Sequence, residues 1–126
     1  MVLRSIVSGA LVSLSLVLAP QAMAAGNAQA GAALVKARCQ MCHVFNKGQK
    51  PTIAPNLNGV NGRKAGSSDF AQYSPALKAS GIVWNAAKLD TFLQAPNKMV
   101  PGTKMVISLP DATQRADVVA FLVSNK

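Results

Sequence analysis

Apolar residues along this chain fall into three textures. From about Ser5 to Ala19 they form an almost unbroken run. Beyond it they recur in short groups at helical spacing, separated by long stretches broken by glycine and proline. The clearest group is the last. Arg115, Val118, Val119 and Leu122 stand at i, i+3, i+4 and i+7, one face of a helix that starts near Pro110-Asp111 and runs to about 124. Asn27 is placed to cap an alanine-rich helix over about 28–39, with Leu34 and Val35 on one face. Ser74-Pro75 makes a cap and first turn for a short helix that Gly81 ends, and Asn85 caps another over about 86–94, halted near Pro96. Residues 44–72 carry Gly48, Pro51, Pro55, Gly59, Gly62 and Gly66, a density that predicts irregular chain; 95–107 reads the same way. No alternating strand pair is evident. The expected class is all-α, helices joined by long loops, and loops of that length inside a compact domain tend to be functional.

The apolar run needs separate treatment. Arg4 is the only charge before Lys36, and the run is followed by Pro20 and the triplet Ala22-Met23-Ala24. A cationic start, an apolar core and an A-x-A site predict a secretory signal peptide over 1–24, cleaved after Ala24, with a single domain over 25–126. A retained membrane anchor is the rival reading. A span needs roughly 20 apolar residues, and this run has about 15 before its proline.

Charge and composition narrow the chemistry. The chain has 126 residues, with 13 Lys and Arg against 4 acids, all aspartate: Asp69, Asp90, Asp111 and Asp117. Without the leader, 12 basic residues face those 4 acids, a net charge of +8. Such a surface suits an acidic partner, an anionic membrane or nucleic acid. Export disfavours nucleic acid, and the lysines are scattered from Lys36 to Lys126 with no basic arm. One histidine excludes a multi-histidine metal site. Two cysteines cannot build a disulfide framework or a four-thiolate zinc site, and four scattered aspartates argue against a paired-carboxylate hydrolase.

That one histidine sits beside the only two cysteines. Cys39-Gln40-Met41-Cys42-His43 is C-x-x-C-H, the attachment motif of c-type haem. Two thiols three positions apart can each add to a vinyl group on one porphyrin edge, and the adjacent imidazole then lies under the iron. A plain C-x-x-C, as a small disulfide or a thioredoxin-like redox pair, is the alternative. The redox version expects a βαβ context that the pattern lacks, and a disulfide closing so short a loop stabilises little. A mature chain of about 100 residues with few aromatics is also marginal for a core of side chains alone. Haem would complete that core.

For the opposite face of the iron, the residues leave methionine, lysine, tyrosine or an open site. Met41 lies inside the attachment motif. Met105 ends Pro101-Gly102-Thr103-Lys104-Met105, a turn sequence that can present a thioether from a loop. Met99 reads as core filler, the usual fate of a lone methionine.

The mature chain resembles class I cytochrome c, in the bacterial group closest to mitochondrial cytochrome c. The matching pieces are Cys39-Gln40-Met41-Cys42-His43, Pro55-Asn56-Leu57, Gly62-Arg63-Lys64, Tyr73, Trp84 and Pro101-Gly102-Thr103-Lys104-Met105, in order and spacing across about 26–125. The resemblance implies the cytochrome c fold, with one haem c held covalently through Cys39 and Cys42 and ligated by His43 and Met105. It implies that the Pro55 carbonyl fixes the His43 ring. It also implies that Tyr73 and Trp84 bond a buried propionate, with Arg63 nearby to offset its charge, and that Thr103 steadies the ligand loop or the second propionate. Ordinary core packing is the plainer role for the two aromatics. Gly31 and Phe121 resemble the residues at which first and last helices cross. Two departures stand out. Phe92 replaces a tyrosine that in many relatives bonds the methionine sulfur, and Leu77 replaces a residue often polar in mitochondrial forms. Both should make the methionine side drier and shift the potential.

The same resemblance implies a soluble, monomeric, periplasmic one-electron carrier, not an enzyme, cycling Fe(III)/Fe(II) between membrane redox complexes. Its donor would be of the quinol–cytochrome c reductase type. The other partner would be a terminal oxidase, a photosynthetic reaction centre or a dehydrogenase. Lys36, Lys47, Lys50, Lys98 and Lys104 would dock near the haem edge, though any one of them can serve solubility alone. A peroxidase or gas-binding protein, which needs an open sixth site, and a membrane-tethered cytochrome with its leader retained are the competing readings.

Overall fold

The first and last helices of the described residues cross at a glycine. The computed structural model describes residues 25–126; the expected leader over 1–24 lies outside the described residues. Helix α1 (Ala28–Arg38) begins where Asn27 Oδ1 accepts the amides of Gln29 at 2.9 Å and Ala30 at 3.0 Å. Its alanines favour the helix intrinsically, and Lys36 and Arg38 in the last turn complement its dipole. Its buried residues are Gly31 and Val35. The terminal helix, α5 (Ala112–Ser124), is capped by Asp111, whose Oδ1 accepts the Gln114 amide at 2.8 Å. Arg115, Val118, Val119 and Leu122 are its buried face, the set picked out by helical spacing. A Cβ added to Gly31 would lie 1.9 Å from the Asp117 carbonyl oxygen and 3.0 Å from Phe121 Cβ. The crossing is therefore a contact of backbone on backbone. A second tie reinforces it, the Asn27 amide donating to Asp117 Oδ1 at 2.7 Å.

Three shorter helices lie between. Helix α2 (Pro75–Ala79) is capped by Ser74 and starts on proline, whose fixed φ suits the first helical position. Helix α3 (Ala86–Gln94), capped by Asn85 through the Lys88 amide at 2.9 Å, buries Leu89, Phe92 and Leu93 and packs on α5. Helix α4 (Pro96–Met99) was not expected, since 95–107 read as irregular throughout. Pro96 ends α3 and then opens this single turn, which is closed by Met99 N–H to the Ala95 carbonyl at 3.2 Å and Val100 N–H to the Pro96 carbonyl at 2.9 Å. Four residues are too few for apolar periodicity to register.

The architecture is all-α, as expected, with long loops tied down by backbone bonds. The one departure from helix and loop among the described residues is an isolated antiparallel bridge between Lys64 and Val83. Around it, Ala65 N–H bonds the Ile82 carbonyl at 2.7 Å and Trp84 N–H bonds that of Arg63 at 2.9 Å. The loop after the C-x-x-C-H motif is fastened to the chain's end: Gly59 N–H to the Asn125 carbonyl at 2.8 Å, and Asn125 Nδ2 to the Phe45 carbonyl at 2.9 Å.

Gly31→Ala tests the crossing. Alanine gains about 1 kcal/mol of helix propensity, but overlap with a backbone carbonyl obliges the two helices to part. The expected net effect is a destabilisation of at least about 1–3 kcal/mol, the usual range for overpacking, read as a lower guanidinium midpoint.

Candidate functional site

The cysteine-histidine motif grows out of the end of α1. Cys42 N–H and His43 N–H both bond the Cys39 carbonyl, at 3.1 and 2.9 Å, so one turn brings the two thiols and the imidazole together. Met41, between them, is 68% exposed and stands outside the site. The thiols are not joined to each other. Burial pushes the Cys39 thiol up, against the lowering effect of the Arg38 charge, so it stays protonated at neutral pH.

His43 Nδ1 lies 2.8 Å from the Pro55 carbonyl oxygen. A carbonyl only accepts, so Nδ1 carries the proton and Nε2 keeps its lone pair. Burial lowers the pKa of His43, with the Pro55 bond opposing that shift, which keeps the ring in the neutral form that binds metals.

Above this turn lies a cavity of about 300 Å³, walled by segments from along the whole chain. Cys39, Cys42, His43, Pro55, Arg63, Tyr73, Trp84, Thr103 and Met105 all line it, so every residue assigned from the sequence to haem attachment, ligation or propionate binding is brought to one place. Apolar walls come from Leu89, Phe92 and Leu93 of α3 and from Val118 and Leu122 of α5. Phe92 and Leu77, the two departures, line it as well. Trp84 is buried edge-on against Phe92, ring centres 5.1 Å apart, and the Tyr73 hydroxyl bonds that of Ser68. This donor set fits a covalently attached haem: two reduced thiols, a neutral imidazole with one free nitrogen, a thioether, apolar walls and a few polar tips.

Arg63 does more than line the cavity. Its guanidinium donates to the carbonyls of Asn56 at 2.8 Å and Asn58 at 3.2 Å, clamping the loop that carries Pro55. Thr103 is buried, its Oγ1 3.5 Å from the Met105 amide. Val100 to Thr103 form a turn closed by Thr103 N–H to the Val100 carbonyl at 3.0 Å. Pro101 holds its second position and Gly102, at φ 91°, its third, the requirement of a type II turn. Met105 follows two residues later. Met99 packs against the core, the filler role expected of it.

Ser74 and Arg38 are polar residues at the cavity that the sequence reading does not assign to it. Ser74 is 3% exposed, and its oxygen accepts the Leu77 amide, leaving the hydroxyl proton for the cavity. The Ser-Pro pair registered only as a helix start. Arg38 also lines the cavity, whereas of the five lysines named for docking Lys104 alone does. Lys104 Nζ donates to the Gln72 carbonyl at 3.0 Å, and Lys98 lies instead in a separate cleft with Thr91, Met99 and Pro110.

A family profile described as Cytochrome c matches residues 28–126. Cytochrome c2 of Rhodomicrobium vannielii is 43% identical over 117 residues, 92% of this chain and 93% of the relative. Cytochrome c of Theileria parva is 47% identical over 98 residues, 77% of this chain and 84% of its own length. Among solved structures, cytochrome cH from Methylobacterium extorquens is 42% identical, with a TM-score of 0.72 over 79% of this chain and 99% of its own. The chain belongs to the cytochrome c family. It is a class I c-type cytochrome, a family of electron carriers whose haem is covalently held.

In this cytochrome, the Arg63 clamp predicts a measurable loss. Charged hydrogen bonds contribute roughly 1.5–3 kcal/mol each when buried, and partial exposure reduces that. Arg63→Ala should cost about 1–2 kcal/mol in guanidinium denaturation, with Arg63→Lys recovering part of it.

Proposed function

We propose that this cytochrome is a periplasmic one-electron carrier whose single haem c is attached through Cys39 and Cys42 and ligated by His43 and Met105. One observation carries the reading: the two cysteines, an imidazole held by Pro55 with Nε2 free, and the Met105 thioether line one apolar cavity. When bound, the haem supplies the Fe(III)/Fe(II) couple. The chain's own residues do the rest. His43 and Met105 would hold the iron between them when the haem is bound, leaving no position for a substrate. A thioether is a soft neutral donor that favours the reduced metal. The apolar walls keep water from the site, and Phe92 and Leu77 withhold polar partners from the methionine side, which shifts the potential. Tyr73, Trp84, Thr103 and Arg63 are the polar groups available to the propionates.

Ile53, Val106 and Ile107 are exposed residues of the cavity lining, which Lys104 and Arg38 also share. An apolar contact set among cations suits a brief encounter with an acidic partner: charge steers the approach, and a small dry contact lets go quickly. The proposed donor is a quinol–cytochrome c reductase type complex. The proposed second partner is a terminal oxidase, reaction centre or dehydrogenase, met by a monomer. Residues 1–24 would direct export and be removed. No helix among the described residues is long and apolar enough to cross a membrane.

The ferric, haem-loaded protein should show the weak far-red iron–sulfur charge-transfer band, and Met105→Ala should abolish it. A high-spin iron that binds cyanide or peroxide readily would instead favour the enzyme or sensor reading. Turnover with membrane redox complexes should slow severalfold between about 10 and 200 mM salt as the Debye length contracts from about 30 Å to under 10 Å; a rate indifferent to ionic strength would exclude charge steering.

A further inference from the structure

Arg115 is the one charged side chain on the buried face of α5, and it is 6% exposed. The periodicity that marked this face gives no reason for an arginine there. Its bonds do. Nε donates to Asp90 Oδ1 on α3 at 2.9 Å, and Nη1 donates to the carbonyls of Leu109 at 3.0 Å and Pro110 at 2.8 Å. One guanidinium thus joins α5, α3 and the far end of the segment that presents Met105. A buried ion pair is a poor way to gain stability, because desolvation offsets most of the attraction and a hydrophobe could fill the space. Its value lies in what it holds in place.

The Met105 segment is held unequally along its length. Upstream, the Pro101-Gly102 turn and the bond from Lys104 to Gln72 fix its approach. Downstream, no hydrogen bond among the described residues is made by the backbone of Val106, Ile107 or Ser108, and Val106 is 81% exposed. The chain is next caught at Leu109, whose N–H bonds the Leu93 carbonyl at 2.8 Å, and by the Arg115 fork on the two carbonyls. We propose that Arg115, aligned by Asp90, is a positioning residue for Met105: it pins the return of the ligand segment to α3 and α5 and so keeps the thioether at its post. The inference rests on the reading of Met105 as an axial ligand.

The test uses the haem-loaded protein. Cyanide reaches ferric iron only after Met105 leaves, so its association rate reports how often the segment opens. Arg115→Gln should raise that rate at least tenfold and speed hydrogen exchange at the Leu109 amide by a similar factor. Arg115→Lys, which keeps the charge facing Asp90 but loses the fork, should rise less. Asp90→Asn should also rise, and adding it to Arg115→Gln should bring little further change, because both act through one network. Asn27→Ala, which removes the α1 cap and lowers global stability far from the segment, should leave the cyanide rate at the wild-type value. If Arg115→Gln does not accumulate as folded protein, Arg115→Lys and Asp90→Asn carry the comparison. Wild-type rates in the Arg115 and Asp90 variants, or an equal acceleration in Asn27→Ala, would overturn the proposal alone. A wild-type protein without the far-red band would overturn the Met105 reading, and the proposal with it.

Discussion

Gly31 lets α1 approach α5 until only backbone separates them, and the site depends on that approach. The crossing angle and depth decide where α1 ends, and the turn that gathers Cys39, Cys42 and His43 is built directly on that end. The same contact sets the height of α5, whose Val118 and Leu122 wall the cavity and whose Arg115 reaches the methionine segment. A side chain at position 31 would move both at once. This is a small domain's way of using one close contact twice, with few large residues available to build a broader interface.

The loops follow a different logic. They carry most of the residues that shape the cavity, yet they have little regular structure, so their polar groups need partners one by one. Asn56 shows how. Its Nδ2 donates to the carbonyls of Asn46 and Gln49, its Oδ1 accepts the Asn58 amide, and its own carbonyl accepts Arg63. Among the described residues no buried side-chain nitrogen or oxygen lacks a partner. The Pro55 carbonyl that orients His43 sits one residue before this knot. A hydrogen bond that selects a tautomer needs an acceptor that stays in place, and the asparagine-arginine cluster supplies that stillness.

Much of this was legible in the sequence, for identifiable reasons. Cap residues and helical spacing located α1, α3 and α5 to within a residue or two, because Asn27, Asn85 and Asp111 each bond the amides that a capping side chain should. The gathering of site residues was legible only through the motif and the family resemblance, since no local pattern says that Pro55 and Met105 face one cavity. The turn at Pro96–Met99 escaped because proline reads as a stop whether or not a new turn begins on it. The Arg63 clamp on two backbone carbonyls is not legible, because no side-chain pattern encodes such bonds. Ser74 at the cavity is not legible for a related reason: its capping role accounts for it fully in the sequence.

The unbonded stretch at Val106 to Ser108 has a consequence of another kind. A protease must draw several residues into an extended, unpaired conformation, and here the chain already offers such residues on the surface. Cleavage there would leave α1 on one fragment and α5 on the other, still held by the crossing at Gly31. Met105 would become nearly the last residue of its fragment, tethered from one side only. The molecule would then survive as a non-covalent pair of pieces, cut beside the methionine proposed to close its redox site.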